Sequence, residues 1–324
     1  MKLTVAICTW NRSAMLGETL NRLAQCAPPR HSDWEVVVVN NNCTDDTDAT
    51  IARFRTRLPL VPIHQPIPGL SNARNAALAA ATGDFILWTD DDVLVSRDWL
   101  QAYEAGIQAY PDCSIFGGPV QSYFEVEPPE WLRRNIDEFA CAFALIDLGP
   151  DARPLIDDIL PFGANFALRR SAMAGIRFDA RLGRQPTALS ILGEETGVMK
   201  AMMSQGATGM WLPTVTVEHR IPAGRQTLHY VREYFRGSGL TMAMINATPV
   251  GKRFMGYPLW MLRMTAQHRM ALLKSAWRRD ATWAKRLRGA WYMTGWTQGA
   301  RKKALEGSFA AQALVPARVD GKQS

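Results

Sequence analysis

Gly83-Asp84-Phe85-Ile86-Leu87-Trp88-Thr89-Asp90-Asp91-Asp92-Val93 is the stretch that decides the fold. An apolar run opened by glycine and aspartate reads as a strand covered on both faces. Three consecutive carboxylates then stand at its carboxyl end. Like charges this close repel unless a cation compensates them. Hard carboxylate oxygens suit Mg²⁺ or Mn²⁺, which commonly bridge protein carboxylates to substrate phosphates. By itself the triplet reads equally as a solvated acidic loop or a helix cap; its place behind a buried strand favours a ligand site.

Upstream, the same pattern repeats. LTVAICT (3–9), WEVVVVN (34–40) and LVPIHQ (60–65) are short runs rich in Val and Ile, like DFILWT (84–89). Amphipathic stretches separate them at 13–26, at 45–57 behind the capping signal Thr44-Asp45-Asp46, and at the Ala-rich 70–82. Strand–helix alternation at this spacing predicts βαβ units and a mostly parallel sheet covered by helices on both faces. Such sheets bind ligands at the carboxyl ends of their strands. The polar residues to read are therefore Thr9, Trp10, Asn11 and Arg12, then Asn40, Asn41 and Asn42, then Asp90, Asp91 and Asp92.

After Pro119 the pattern loosens. Residues 121–160 carry Pro128, Pro129, Pro150, Pro154, Trp131 and paired acids, and read as a long lid or acceptor loop. Order returns with FGANFALRR (162–170), a helix at 194–205, a strand near 208–217 and a helix over 225–248. Trp131 reads as an aromatic platform for a ligand ring, whereas Trp211 reads as core.

With 47% hydrophobic and 21% charged residues over 324 positions, the composition is that of a folded chain. Five cysteines without ligand-like spacing read as small buried hydrophobes in a reducing compartment. The opening MKLTVAICTW reads as a strand rather than a leader, so the expected location is cytoplasmic, including the inner face of the cytoplasmic membrane. No apolar run reaches the roughly 18–20 residues that span a bilayer. A dinucleotide fingerprint (GxGxxG) and a GxxxxGK[ST] phosphate loop are both missing, which disfavours dehydrogenases and P-loop enzymes.

The net charge of +7 is unevenly spread: the last 74 residues hold 15 Lys and Arg against 3 acids, a net of +12. This tail, helical over 251–305, interleaves its cations with Trp260, Trp277, Trp283, Trp291 and Trp296. Such a composition suits either an interfacial helix on an anionic membrane or a helical hairpin packed on the catalytic part. No nucleic-acid recognition module is visible, so no nucleic-acid partner is expected. Residues after about 307 read as a disordered end.

TVAICTWNR, WEVVVVNNNCTDDT, PGLSNARNAAL and GDFILWTDDDV resemble, in order and spacing, the nucleotide-binding half of family 2 glycosyltransferases of the GT-A fold. The resemblance continues through FGANFALRRSAM, FDARLG, LGEETGVMKAMMSQG and VEHR, and so covers roughly residues 3–220. It implies a GT-A-type, Rossmann-like mixed sheet and a nucleotide-diphosphate sugar donor, UDP-sugar foremost, with a C-terminal helical appendage beyond it. Residues 1–120 would bind the donor, 121–248 the acceptor, and 249–306 would form the appendage ahead of the 307–324 tail.

By the same resemblance, Thr9, Trp10 and Arg12 lie beside the nucleoside. Asn40 and Asn41 stand where the family usually has aspartates that accept from the base, a departure that leaves the base open. Arg74 would face the pyrophosphate. Asp90 and Asp91 would serve the ribose side, and Asp92, with Asp90 and His219, the metal, Mn²⁺ or Mg²⁺. The family's acidic pair at a helix start falls on Glu194-Glu195, with Glu195 the expected base and Glu194 the alternative. Asn165 would line the acceptor pocket. The acceptor would be a sugar or a lipid-linked molecule of cell-surface polysaccharide or glycolipid assembly. No QxxRW motif is present, which implies a non-processive enzyme. Two rivals remain at this stage: a sugar-1-phosphate nucleotidyltransferase, which would need a Gly-rich loop where CTWNRSAML stands, and a catalytically silent membrane-bound scaffold.

Overall fold

Residues 1–156, 159–184, 193–246, 250–278 and 281–306 are described by a computed structural model of the chain. The expected disordered tail, 307–324, lies outside the described residues. Strands β1 (Lys2–Thr9), β2 (Asp33–Asn40), β3 (Leu60–His64) and β4 (Phe85–Asp90) alternate with helices α1 (Ser13–Leu23), α2 (Thr47–Arg53) and α3 (Leu70–Ala80). Then come β5 (Val93–Val95), α4 (Trp99–Ala109), β6 (Ile115–Gly117) and β7 (Val120–Phe124). Short helices α5 (Glu130–Arg133) and α6 (Ile136–Phe139) lead to β8 (Arg153–Pro154) and β9 (Phe166–Arg169). The chain continues through α7 (Glu194–Ser204), β10 (Gly209–Trp211), β11 (Val217–Ile221) and α8 (Leu228–Ile245). A hairpin of β12 (Arg253–Phe254) and β13 (Tyr257–Pro258) precedes the long helices α9 (Leu259–Arg278) and α10 (Trp283–Glu306).

The large sheet has the order β3-β2-β1-β4-β9-β6-β10-β8. Its first four strands are parallel, and β9 runs antiparallel to both β4 and β6. Side chains alternate strictly between two cores. Leu3, Val5, Ile7, Val36, Val38, Phe85 and Leu87 meet Leu16 and Leu20 of α1 and Trp99 and Tyr103 of α4. Ala6, Val37, Val39, Ile86 and Trp88 meet Ala73 and Ala77 of α3 and Val198 and Met202 of α7. That two-sided burial is why these strands read as unbroken apolar runs.

The expected strand near 208–217 proves to be two. Gly209–Trp211 joins the large sheet, whereas Val217–Ile221 pairs with β5 and β7 in a separate three-stranded sheet. Leu212 and Val215 between them are buried, so hydrophobicity alone blurred the break. The stretch expected to be a long loop is also more ordered. Within it, Leu132, Phe139, Ala142 and Phe143 form a third core with Ile221, Val231 and Phe235, and with Ala284 and Leu287 of α10. The prolines there shorten elements without abolishing them.

The C-terminal helices are thus part of the packed body. Helices α8 and α10 meet through glycines: a Cβ at Gly239 would lie 2.0 Å from the Tyr292 carbonyl oxygen, and one at Gly295 would lie 1.9 Å from that of Arg236. Gly295→Ala should therefore force two backbones apart and cost about 1–3 kcal/mol, read as a lower thermal midpoint. Gly17→Ala in α1, whose new methyl would meet only Thr50 Cγ2 at 3.5 Å, should be neutral or stabilising. Equal midpoints for the two variants would remove the close crossing.

Candidate active site

The carboxyl ends of β1 and β4 bring the first set of charges together. Thr9 Oγ1 donates to Asp91 Oδ2 at 2.6 Å. Arg12, at the mouth of α1, donates through Nη1 to Asp91 Oδ1 at 3.0 Å and Asp92 Oδ2 at 3.1 Å. From α1, Thr19 Oγ1 donates to the Asp91 carbonyl at 3.0 Å. Burial, with Asp92 and Asp90 alongside, pushes the Asp91 carboxyl up to about 6, against the pull of Arg12 and Thr9.

Asp92 sits in a different field. The β5–β11 pairing sets His219 opposite Val93, and His219 Nε2 lies 3.4 Å from Asp92 Oδ1. Arg225 Nη2 donates to Asp92 Oδ2 at 3.0 Å, and its Nη1 lies 3.2 Å from His219 Nε2. Burial would raise the Asp92 carboxyl, but His219, Arg225 and Arg12 outweigh it and hold the group well below its ordinary range. His219 Nδ1 donates to the Phe143 carbonyl at 2.5 Å. A carbonyl can only accept, so that bond fixes the ring and turns Nε2 toward Asp92. Sequence reasoning missed Arg225; the signal available was a cation six residues beyond the histidine.

Arg74 forms the second centre. It was expected to face a pyrophosphate, yet its side chain is only 3% exposed. Its Nη2 lies 3.6 Å from Asp90 Oδ1, and its Nη1 lies 3.2 Å from Glu194 Oε1 and 3.8 Å from Glu195 Oε2. Trp88, Phe166 and Phe178 surround the guanidinium, with ring centroids at 6.0, 5.5 and 5.6 Å. Burial and the adjacent Glu194 raise the Glu195 carboxyl to about 8, although Arg74 pulls the other way.

Other expected site residues take structural partners. Asn40 donates to Asp48 Oδ1 at 2.7 Å and accepts from the Cys43 amide at 2.8 Å. Asn41 donates to the carbonyls of Gln65 and Ile67 and accepts from the Gly69 amide. Both amides therefore brace the loops at the strand ends. Asn165 is fully buried: it accepts from Trp99 Nε1 and Tyr103 Oη and donates to the carbonyls of Pro119 and Val215. Trp131 packs edge-on to Phe139 and Trp283, in the third core. Trp10, by contrast, is exposed at the end of β1. All five cysteines are free. Asp90, expected beside Asp92, turns to Arg74, and among the described residues no three His, Cys, Asp or Glu side chains converge as a metal site.

Residues 4–176 match the description "Glycosyl transferase family 2", and the chain belongs to that family. It is 27% identical to the succinoglycan biosynthesis protein ExoM of Rhizobium meliloti over 245 residues, which is 74% of each chain. It is 32% identical over 112 residues to the poly(ribitol-phosphate) β-N-acetylglucosaminyltransferase TarS of Staphylococcus aureus, covering 34% of this chain and 19% of that one. Among solved structures, the Pyrobaculum calidifontis mannosyltransferase PcManGT with GDP-Man and Mn²⁺ superposes with a TM-score of 0.52 at 20% identity, covering 96% of this chain and 77% of that one. S. aureus TarS 1–349 with UDP-GlcNAc gives 0.52 at 16% identity, covering 95% and 93%. At these identities the superpositions establish the GT-A fold.

The Arg74 network has a measurable pH signature. Folding raises the Glu195 pKa from its ordinary 4.5 to about 8. The wild type should therefore lose stability relative to Glu195→Gln as pH climbs through that window, with no further divergence above it and none below it. Denaturant midpoints at about pH 5, 7 and 9 would show this, and parallel profiles would return Glu195 to an ordinary carboxylate. Arg74→Met, which strands buried carboxylates, should cost about 3–5 kcal/mol.

Proposed function

We propose that the chain transfers a sugar from a nucleotide-diphosphate sugar, a UDP-sugar foremost, to an acceptor hydroxyl with inversion at the anomeric carbon. The observation that carries this reading is the single buried arginine between two acid groups about a hundred residues apart. It holds the raised-pKa carboxyl of Glu195 beside the strand end where Asp90, Asp91 and Asp92 stand. A candidate base and a charge cluster thus stand together at the carboxyl ends of the central strands, where such folds take their ligands.

Inversion needs a base that removes the acceptor proton as the hydroxyl oxygen bonds to the anomeric carbon. The bond from that carbon to the diphosphate breaks on the opposite face. Glu195 suits the first task, because a carboxyl titrating near 8 accepts a proton far better than an ordinary glutamate. Glu194, which carries the shorter contact to Arg74, is the second candidate. Arg12 and Arg225 present positive charge beside Asp92, where a departing diphosphate needs it.

Asp92 and His219 would hold a divalent ion. Their facing atoms are 3.4 Å apart, a little more than the roughly 3.0 Å that two neighbouring ligands of an octahedral ion with bonds of about 2.1 Å would span. Among the described residues these two side chains are the ones that converge, and a bound ion would draw its remaining ligands from diphosphate oxygens and water. Mn²⁺ or Mg²⁺ bound there supplies Lewis-acid stabilisation of the leaving group. The Mn²⁺ and GDP-Man of PcManGT and the UDP-GlcNAc of TarS support a donor and metal of this kind. The role of ExoM in succinoglycan biosynthesis supports a sugar or lipid-linked acceptor in surface polysaccharide assembly.

A thermal-shift screen of UDP-, GDP- and dTDP-sugars with and without Mn²⁺ identifies the donor, since binding raises the midpoint by mass action. EDTA should abolish transfer or slow donor hydrolysis and Mn²⁺ restore it, while Asp92→Ala should fold and lose the metal-dependent shift. Full activity in EDTA would sink the metal. Glu195→Gln should bind donor normally and turn over roughly 10²–10⁴-fold more slowly. A dead Glu194→Gln beside an active Glu195→Gln would move the base to Glu194.

A further inference from the structure

Exposed apolar side chains gather in one part of the molecule. Of seventeen large hydrophobic residues exposed among those described, ten lie at position 245 or beyond. Helix α9 shows why they matter. Its inner side packs on α10: Met261 and Ser275 are buried, Thr265 and Thr297 share a hydrogen bond at 2.8 Å, and Trp260 packs edge-on to Trp296. The outer side carries Met270 at 57%, Leu273 at 69% and Trp277 at 86% exposure. At about 100° per residue, Leu259, Met270, Leu273 and Trp277 fall in one sector roughly 60° wide. Arg263 and Lys274, both exposed, border that sector on one side.

The β12–β13 hairpin, held to α10 by Arg301 Nε donating to the Met255 carbonyl at 3.2 Å, adds exposed apolar side chains of its own. Met255 (φ 49°) and Gly256 (φ 84°) occupy the left-handed region, which makes a tight turn. That turn leaves Phe254 61% and Met255 69% exposed beside Lys252 and Arg253. An exposed apolar stripe bordered by cations costs free energy in water and would gain it at a surface that is apolar below and anionic above.

We propose that the outer face of α9 and the tip of the β12–β13 hairpin form a docking surface for an anionic lipid bilayer. Charge chooses this occupant over a second copy of the chain. The last 74 residues carry a net +12, so a copy-to-copy contact on this face would set like charges against each other, whereas an anionic leaflet contributes about 1 kcal/mol of attraction per basic residue near it. The attachment is peripheral, since no helix among the described residues is long and apolar enough to cross a membrane. It stands independently of the chemistry assigned to the acid clusters, and it would hold the sheet edge near acceptors carried in the membrane.

Co-sedimentation of the full chain with vesicles tests it, using phosphatidylcholine alone and phosphatidylcholine mixed with phosphatidylglycerol. The wild type should sediment with the anionic vesicles, weakly with the neutral ones, and be partly released by high salt. Leu273→Ser with Trp277→Ser, and separately Arg263→Glu with Lys274→Glu, should each weaken partitioning roughly tenfold or more. Far-ultraviolet circular dichroism and an unchanged thermal midpoint would show both variants folded. Wild type that stays in the supernatant with anionic vesicles overturns the proposal, and so do variants that are folded and bind as well as wild type. A lipid-free dimer by light scattering that Leu273→Ser with Trp277→Ser converts to monomer would assign the face to a second copy instead.

Discussion

A guanidinium almost sealed from water, with three carboxylates around it and three aromatic rings against it, is the constraint on which the rest of the site depends. Arg74 comes from α3, Asp90 from the end of β4, and Glu194 and Glu195 from the first turn of α7. An unpaired charge at that depth would be strongly destabilising, so the three elements are obliged to converge. Burial would weaken the arginine's charge, but Glu194, Asp90 and Glu195 more than offset it. Burial first, and then the neighbouring Glu194 in a group of three acids sharing one cation, make Glu195 hold its proton more tightly. The same contacts that fix the register of α7 thereby create a carboxyl with unusual proton affinity, so packing and reactivity have one cause.

Asp92 answers the opposite problem. Two arginines and a histidine converge on one carboxylate, which stays ionised. Those partners arrive on three separate elements, and β11 belongs to the small sheet, so the position of His219 depends on how the two sheets meet. Asn165 governs part of that meeting. Its amide ties Trp99 and Tyr103 of α4 to the carbonyls of Pro119 and Val215, which precede β7 and β11. A residue with no open face can still set the geometry of an active site.

The basic C-terminal helices are packed on one side and exposed on another. Helix α10 is bound into the body by glycine contacts with α8 and by Ala284 and Leu287 in the third core. Helix α9 rides on α10 and leaves Met270, Leu273 and Trp277 in solvent. One composition of tryptophan, methionine and cation therefore splits between a structural layer and an outward layer. The packed-hairpin reading describes the inner faces of this segment, and the proposed lipid contact concerns the outer face of α9 alone.

Sequence alone determined the parallel strands, the two-sided burial of their apolar runs, the acid triplet at a strand end and the acidic pair at the head of α7. These follow from local periodicity and from where parallel sheets place their polar ends, which neighbours in sequence suffice to show. Tertiary structure alone decided that Arg74 is buried between the two acid groups, that Arg225 joins His219 on Asp92, and that Asn40, Asn41 and Asn165 spend their amides on neighbouring backbone and side chains. It also split the 208–217 run between two sheets and packed Trp131 into a core. A charge's partners and a side chain's exposure are set by residues tens to more than a hundred positions away. No local pattern encodes those distances, and electrostatics in a buried site depends on them most steeply.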